Sequence, residues 1–279
     1  MSARPRIAVI GHVQHVTIGR VPALPERGAI VHLAETRWIP GGGGGVAFFQ
    51  LARGPGEILL YTALGSDTAG DTVRERIEAT GARIYAVRRP GPHARDVTML
   101  TPDGERTIVV VDEPLHPRHD DALPWEALAT CDAVFYTAYD PELIRRARAA
   151  RVLVVTARRA ESLARAGVEA DVVVGSGLDP REAGRRADYP VPPRVLVMTE
   201  GARGGRIETA RGTTRFAAPR LAAPAVGSYG AGDTFAAALT WYTATGLAPE
   251  DACARAAAHA AAVLRGAEPL ACQARLAAP

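Results

Sequence analysis

The residues of this chain best suited to chemistry gather around a short run of small ones. In "GSYGAGDTFAAALTW" (Gly227–Trp241), Gly230, Ala231 and Gly232 precede Asp233, and an alanine-rich helical stretch follows. Consecutive small residues leave backbone N–H groups open at a helix N-terminus, where they and the helix dipole attract an anion. A carboxylate at that mouth can take a proton from an attacking hydroxyl, and the amides suit charge developing on a transferring phosphoryl group. An N-cap role would explain Asp233 but not the three small residues ahead of it.

Three other stretches offer backbone to small anions or sugars. "PGGGGGV" (Pro40–Val46) leads into a helix, and Gly41, Gly42 and Gly43 could let a ligand approach the chain closely. It fails the dinucleotide fingerprint, because Val46 stands where the third glycine belongs. "TEGARGG" (Thr199–Gly205) follows the apolar strand "VLVM", and strand ends are where open α/β sheets bind ligands. "VVVGSGLDPREAG" (Val172–Gly184) places Ser176 and Asp179 after another strand; Asp179 could hold a magnesium ion through water or cap a helix.

The elements that must position these residues alternate. "RIAVIG", "EILLYTALG", "DAVFYT", "RVLVVT", "ADVVVG" and "RVLVMTEG" are short apolar runs that predict buried strands. "VAFFQLAR", "DTVRERIEATG", "PELIRRARAA", "AESLARAG", "GDTFAAALTWYTATG" and "PEDACARAAAHAAAVLRG" predict helices between or after them. Such alternation implies a mainly parallel sheet covered on both faces. "GGRIETARGTTRFAA" reads as a β-ribbon. "DVTMLTPDGERTIVVV" reads as a hairpin around Asp103-Gly104, a dipeptide that primed turns favour. The half-exposed pieces near 12–36 and 94–112 fit the main layer poorly and are expected to pair as a small separate sheet.

Composition narrows the chemistry further. The chain has 279 residues, net charge +3, and 33 basic residues that are all arginine, since the sequence contains neither lysine nor asparagine. A lysine Schiff base, a P-loop lysine and a Ser–Lys pair are therefore excluded. The arginines are scattered rather than striped, which argues against nucleic acid as a partner. Cys131, Cys253 and Cys272 are too far apart for a CxxC site. No stretch is long and apolar enough to span a bilayer, and "MSARPRIAVIG" runs into a strand without an apolar signal core, so a reduced, cytoplasmic protein is expected.

"GAGDTF", with "TEGARGG" upstream, resembles the ribokinase-like (pfkB) carbohydrate kinase family. The order of the early glycine run, "LGSDTAG" and "DGERTIVV" extends the resemblance over nearly the whole chain. It implies a single domain over 1–279: a three-layer αβα sandwich with a mainly parallel central sheet and a small β-sheet lid drawn from about 12–36 and 94–112. It implies Asp233 as catalytic base and Gly230, Ala231 and Gly232 as anion hole. Thr199, Gly201 and Gly204 match the nucleotide loop; Ser176 stands in the altered magnesium motif, and His259 falls near the adenine side. ATP and Mg2+ are the implied cofactors, with a monovalent cation left open. Homodimerisation through the lid edges is a further expectation.

Departures from the family pattern lie at the magnesium motif, at the start of the GAGD element and, further, at the acceptor end. Ser176 and Asp179 replace both ends of an N-x-x-E motif, and Gly227 replaces an aspartate. Gln14 falls at a usual asparagine, Val16 at a usual aspartate and Val46 at a usual asparagine. A site without those polar groups cannot reward the same hydroxyls, so an acceptor less polyhydroxylated than ribose or fructose, or held differently, is expected. Gln14, His12, His15, Arg37 and Arg106 are the candidate replacements, and the arginines would suit an acidic or phosphorylated acceptor. The leading reading is an ATP-dependent kinase for an alcohol group of a sugar-like small molecule, with a nucleoside kinase as variant. A catalytically weak nucleotide- or metabolite-binding sensor is the alternative. A nicotinamide-dependent enzyme ranks below both, for want of a G-x-G-x-x-G after the first strand.

Overall fold

Strand residues of this chain are apolar in both registers, so every central strand must be covered twice. In the computed structural model, which describes residues 4–277, they are. The ends of the domain expected over 1–279 lie outside the described residues. Ile7 and Val9 of β1 (Arg6–Ile10) enter one core, and Ala8 and Ile10 enter the other. The chain then leaves for β2 (Gln14–Arg20) and β3 (Ala34–Gly41) and returns through α1 (Gly42–Leu51) to β4 (Glu57–Gly65). α2 (Thr68–Glu78) and β5 (Arg83–Arg89) follow, then a second excursion, β6 (Arg95–Leu100) and β7 (Arg106–Val110). From β8 (Ala133–Tyr136) the alternation is regular: α3 (Pro141–Ala147), β9 (Val152–Thr156), α4 (Ala160–Ala166) and β10 (Val172–Ser176). β11 (Val195–Thr199), the ribbon β12 (Gly205–Thr209) and β13 (Gly212–Phe216), α5 (Ala231–Ala244), α6 (Pro249–Val263) and α7 (Pro269–Cys272) complete the chain.

The main sheet has nine strands in the order β13-β12-β11-β10-β9-β8-β1-β4-β5, with every neighbouring pair parallel except β11–β12 and β12–β13. Side chains of α1, α2, α5 and α6 share one core with the sheet, and α3, α4 and the turn at Trp125–Thr130 share the other. This is the αβα sandwich with a small second sheet that the pattern implied. α5 is buried on nearly all sides from Thr234 to Tyr242, which explains why it is apolar all round rather than striped.

The lid sheet has the order β3-β2-β6-β7, with β2 and β6 parallel and the outer pairs antiparallel. Its strands fall on the two segments singled out in the sequence, although β3 runs on to Gly41 and 29–33 form no strand. Val16, Ile18, Ile39 and Leu100 on its inner face pack against Val46, Tyr229 and Leu270 of the body. The outer edge strand β7 exposes Ile108, Val109 and Val110.

Two local expectations change. The β6–β7 connection spans 101–105 rather than a two-residue primed turn. Gly104 has φ +81, while Asp103 does not enter the positive-φ region that a type I′ turn requires there. The helix expected from Val46 begins at Gly42. The glycines form its first turn because a Cβ at Gly44 would lie 2.6 Å from the His12 carbonyl oxygen and 2.8 Å from the Gly11 carbonyl carbon. Only bare backbone lets α1 rest against the end of β1.

Candidate active site

The order of the main sheet reverses at β1: β4 and β5 lie on one side of it, and β8 to β13 on the other. A crevice opens beyond the carboxyl ends of strands at such a switch point, the usual ligand position in open α/β sheets. The residues just past β1 and β8 are Gly11 to Val13 and Thr137 to Tyr139, and α1 and α5 both begin at this crevice.

Gly43 marks its centre. A Cβ on Gly43 would lie 3.3 Å from Asp233 Oδ1, 3.3 Å from Thr137 Oγ1 and 3.7 Å from His12 Cε1, so these three groups converge on one backbone atom. The Gly43 amide donates to His12 Nε2 at 3.3 Å, and the Gly42 amide donates to the Tyr229 hydroxyl at 3.0 Å. Gln14, buried at the start of β2, has its Oε1 3.1 Å from where a Gly42 Cβ would be. Gly41, Gly42, Gly43, Gln14 and Asp233 are thus brought together as one floor. Tyr229 and Thr137 join them without any signal in the sequence.

Gly230 adopts φ +77, a left-handed N-cap conformation that suits glycine, and this turns the chain sharply into α5. The Ala231 amide is directed to the Ser228 carbonyl at 3.4 Å. The amides of Gly232 and Asp233 precede the first helical bond, which Thr234 donates to Gly230, and nothing lies within 4 Å of a Cβ built on Gly232. An anion can therefore approach the N-terminus of α5 from the Gly232 side. Burial raises the Asp233 carboxyl above the ordinary carboxylate range; Arg106 and Arg158 pull it back and Glu182 pushes it further up. Arg106 reaches this neighbourhood from β7, with its Nη1 3.3 Å from Ser228 Oγ, and so ties the lid to the loop before α5.

The remaining candidates spread along the β10–β12 edge. Thr199 ends β11 and donates to the Gly175 carbonyl at 3.2 Å; Gly201 (φ +60) and Gly204 (φ +81) shape the turn into β12. Ser176 ends β10, and its amide donates to Glu182 Oε2 at 2.9 Å. Asp179 is held by Arg158 at 3.2 Å and Arg181 at 2.9 Å; the bond from Arg181 is the chief cause of its pKa falling to about 2. Arg158 also pairs with Glu182. Both carboxylates near the altered magnesium motif are thus taken by guanidinium groups, and no cluster of three or more His, Cys, Asp or Glu suited to a metal occurs among the described residues. These residues do not fit a directly held magnesium ion.

Three candidates stand apart. His259 is buried, with its Nε2 3.0 Å from the Tyr242 hydroxyl, in the contact between α5 and α6. His15 stacks on Trp38 in the lid with centroids 4.9 Å apart. Arg37 is exposed on β3 and turns to the Glu35 carbonyl. The element "LGSDTAG" proves architectural: Asp67 caps α2 by accepting from the Gly70 amide at 3.0 Å, and the Gly65 amide donates to His93 Nδ1 at 3.2 Å.

Sequence reasoning named His12 as an acceptor candidate but not the group it joins behind the floor. His12 and His116 meet edge to face at 4.8 Å, His116 meets Tyr139 at 4.6 Å, and the Arg159 guanidinium lies 3.6 Å from the centre of the Tyr139 ring. Burial, then Arg159, lowers the His12 pKa to about 3; burial, then His12 and Arg159, lowers that of His116 to about 2. Both imidazoles are neutral at physiological pH. Their positions, after β1 and in the return from β7, carry no motif that could have linked them in advance.

A profile described as pfkB family carbohydrate kinase matches residues 168–274. No curated protein sequence matches the chain. Among solved structures, ribokinase from Thermotoga maritima is 18% identical, with a TM-score of 0.75, over 97% of this chain and 96% of that one. A microbiome-derived acarbose kinase is 21% identical, with a TM-score of 0.79, over 94% of this chain and 93% of that one. Arabidopsis thaliana ribokinase, complexed with ribose and ATP, is 16% identical, with a TM-score of 0.75, over 97% and 96% of the two chains. The chain has the ribokinase-like fold, and its segment 168–274, which contains the 230–233 turn, matches the pfkB carbohydrate kinase profile.

Proposed function

We propose that this protein is an ATP-dependent kinase that phosphorylates an alcohol group of a sugar-like small molecule. The observation that carries the reading is the convergence of Asp233, the open start of α5 and the Gly43 floor at the switch-point crevice. The pfkB-type segment and the likeness to a ribokinase complexed with ribose and ATP support it. The acceptor hydroxyl lies against Asp233, which takes its proton. The alkoxide oxygen forms a bond to the γ-phosphorus while the bond to the β-phosphate oxygen breaks, and ADP leaves with that electron pair. Developing negative charge faces the amides of Gly232 and Asp233 and the positive end of α5. The Thr199–Gly204 turn is where the nucleotide rests. A metal ion carried in by the nucleotide would neutralise phosphate charge, but the paired state of Asp179 and Glu182 gives it no ready carboxylate.

ADP release from Mg-ATP, measured against sugars, sugar acids, sugar phosphates and nucleosides, tests the reading. An acceptor-dependent rate that falls by about 10²–10⁴-fold in Asp233→Asn, with nucleotide affinity retained, is the expected result. Turnover near the wild-type level in that variant would remove Asp233 from the mechanism. A nucleotide-binding sensor is the second reading, favoured by the arginine-bound carboxylates beside Ser176. It would be supported by tight nucleotide binding without acceptor-stimulated turnover.

A further inference from the structure

Arg159 is 4% exposed, yet among the described residues no carboxylate pairs with it. Its Nε donates to the Thr137 carbonyl at 2.8 Å, and its guanidinium stacks on Tyr139. The charged group nearest in sequence, Arg158, has the same sign and is itself committed to Asp179 and Glu182. A buried guanidinium without an anion is costly, and proteins ordinarily supply a carboxylate or recruit a ligand. Its place in the fold says which. Arg159 follows β9, Thr137 and Tyr139 follow β8, and His12 follows β1, so the group lines the carboxyl ends of three adjacent strands. His12 Nδ1 and both ring nitrogens of His116 are buried without hydrogen-bond partners. Thr137 joins the two ends of the crevice: its carbonyl holds Arg159, and its hydroxyl lies beside Gly43 and Asp233.

We infer that Arg159 forms an anion subsite in the acceptor crevice, so that the molecule phosphorylated at Asp233 carries a carboxylate or phosphate group at its far end. This rests on the kinase reading and deepens it. Neutral His12 and His116 offer hydrogen bonds to hydroxyls between the two ends, while the guanidinium Nη atoms take the anion in a charge-assisted contact. The acidic acceptor that Arg37 and Arg106 suggested in the sequence is thereby assigned to another arginine.

Calorimetric binding and steady-state kinetics on ribose, ribonate and ribose 5-phosphate, and on the matching glucose series, test the subsite. At least one anionic member is expected to bind about 10–100-fold tighter than its neutral parent, the scale of hydrogen bonds to a charged group. Ribonate and gluconate against the sugar phosphates decide between carboxylate and phosphate. Arg159→Gln is expected to abolish the preference, with the loss in KM rather than kcat, and Arg159→Lys to restore part of it; thermal unfolding of both checks folding. If no anionic member outbinds its neutral parent, the subsite is refuted. Turnover of neutral sugars at equal efficiency refutes it too, while leaving the kinase standing. Arg159-dependent binding of an acid without turnover of any acceptor would uphold the subsite and overturn the kinase.

Discussion

In the proposed reaction Asp233 serves as the base, and its surroundings bear on that role. Burial raises its pKa, and Arg106 and Arg158 keep the rise in check. As a base it must be ionised, so kcat/KM is expected to climb with pH through an acid limb lying above the ordinary aspartate value of about 4. A limb at or below that value would place the titrating group elsewhere. Asp179 shows the opposite treatment. Arg181 and Arg158 hold it ionised to about pH 2, and an acid already paired with two guanidinium groups has little left for a metal. Asp179→Asn is therefore expected to change the magnesium concentration for half-maximal turnover by less than about fivefold, the scale of an exposed ion pair. A larger shift would restore this residue to the metal.

At the scale of elements, the start of α1 is the most demanding piece. Its glycines serve contact rather than flexibility: the first turn sits on the backbone of Gly11 and His12, and the Gly45 amide donates to the His12 carbonyl at 3.2 Å. Gly44→Ala forces a methyl group into backbone that cannot move aside. It is expected to cost about 1–3 kcal/mol in urea unfolding and to raise acceptor KM, because the Gly43 floor shifts with the helix. Unchanged stability would mean that α1 can slide outward.

For the molecule as a whole, the lid carries a titration that stability can report. Asp96 of β6 is 3% exposed, and among the described residues its one side-chain partner is the Thr98 hydroxyl at 3.3 Å. Burial raises its pKa to about 6 from 3.8. The folded state then binds this proton more tightly than the unfolded chain, so this group's contribution to stability is best below pH 4 and declines as pH rises to 6. Asp96→Asn is expected to flatten that part of the stability-pH curve and to stabilise the protein above pH 6 by about 2–3 kcal/mol. An unchanged slope between pH 4 and 6 would show that the lid opens enough to hydrate Asp96.

Composition, strand–helix alternation and the 230–233 run were enough to expect the sandwich, its small second sheet and a base at the mouth of α5. Those properties follow from local periodicity and from what a helix start does to nearby charge, and both are written in consecutive residues. Asp179 looked available in one dimension, and only folding brought Arg158 onto both it and Glu182. His259, set near the adenine side by resemblance alone, lies buried with its Nε2 against the Tyr242 hydroxyl, a contact that no local pattern records. The crevice beyond β1 and β8 was the least legible part. His12, His116, Thr137, Tyr139 and Arg159 come from separate segments, and no pattern in the chain records that strand order places β1 beside β8 and β8 beside β9. Sequence determined which elements form and what one helix mouth can do. Tertiary structure decided which charges are neutralised and which buried arginine is left without a carboxylate among the described residues, because pairing and burial depend on neighbours far apart along the chain.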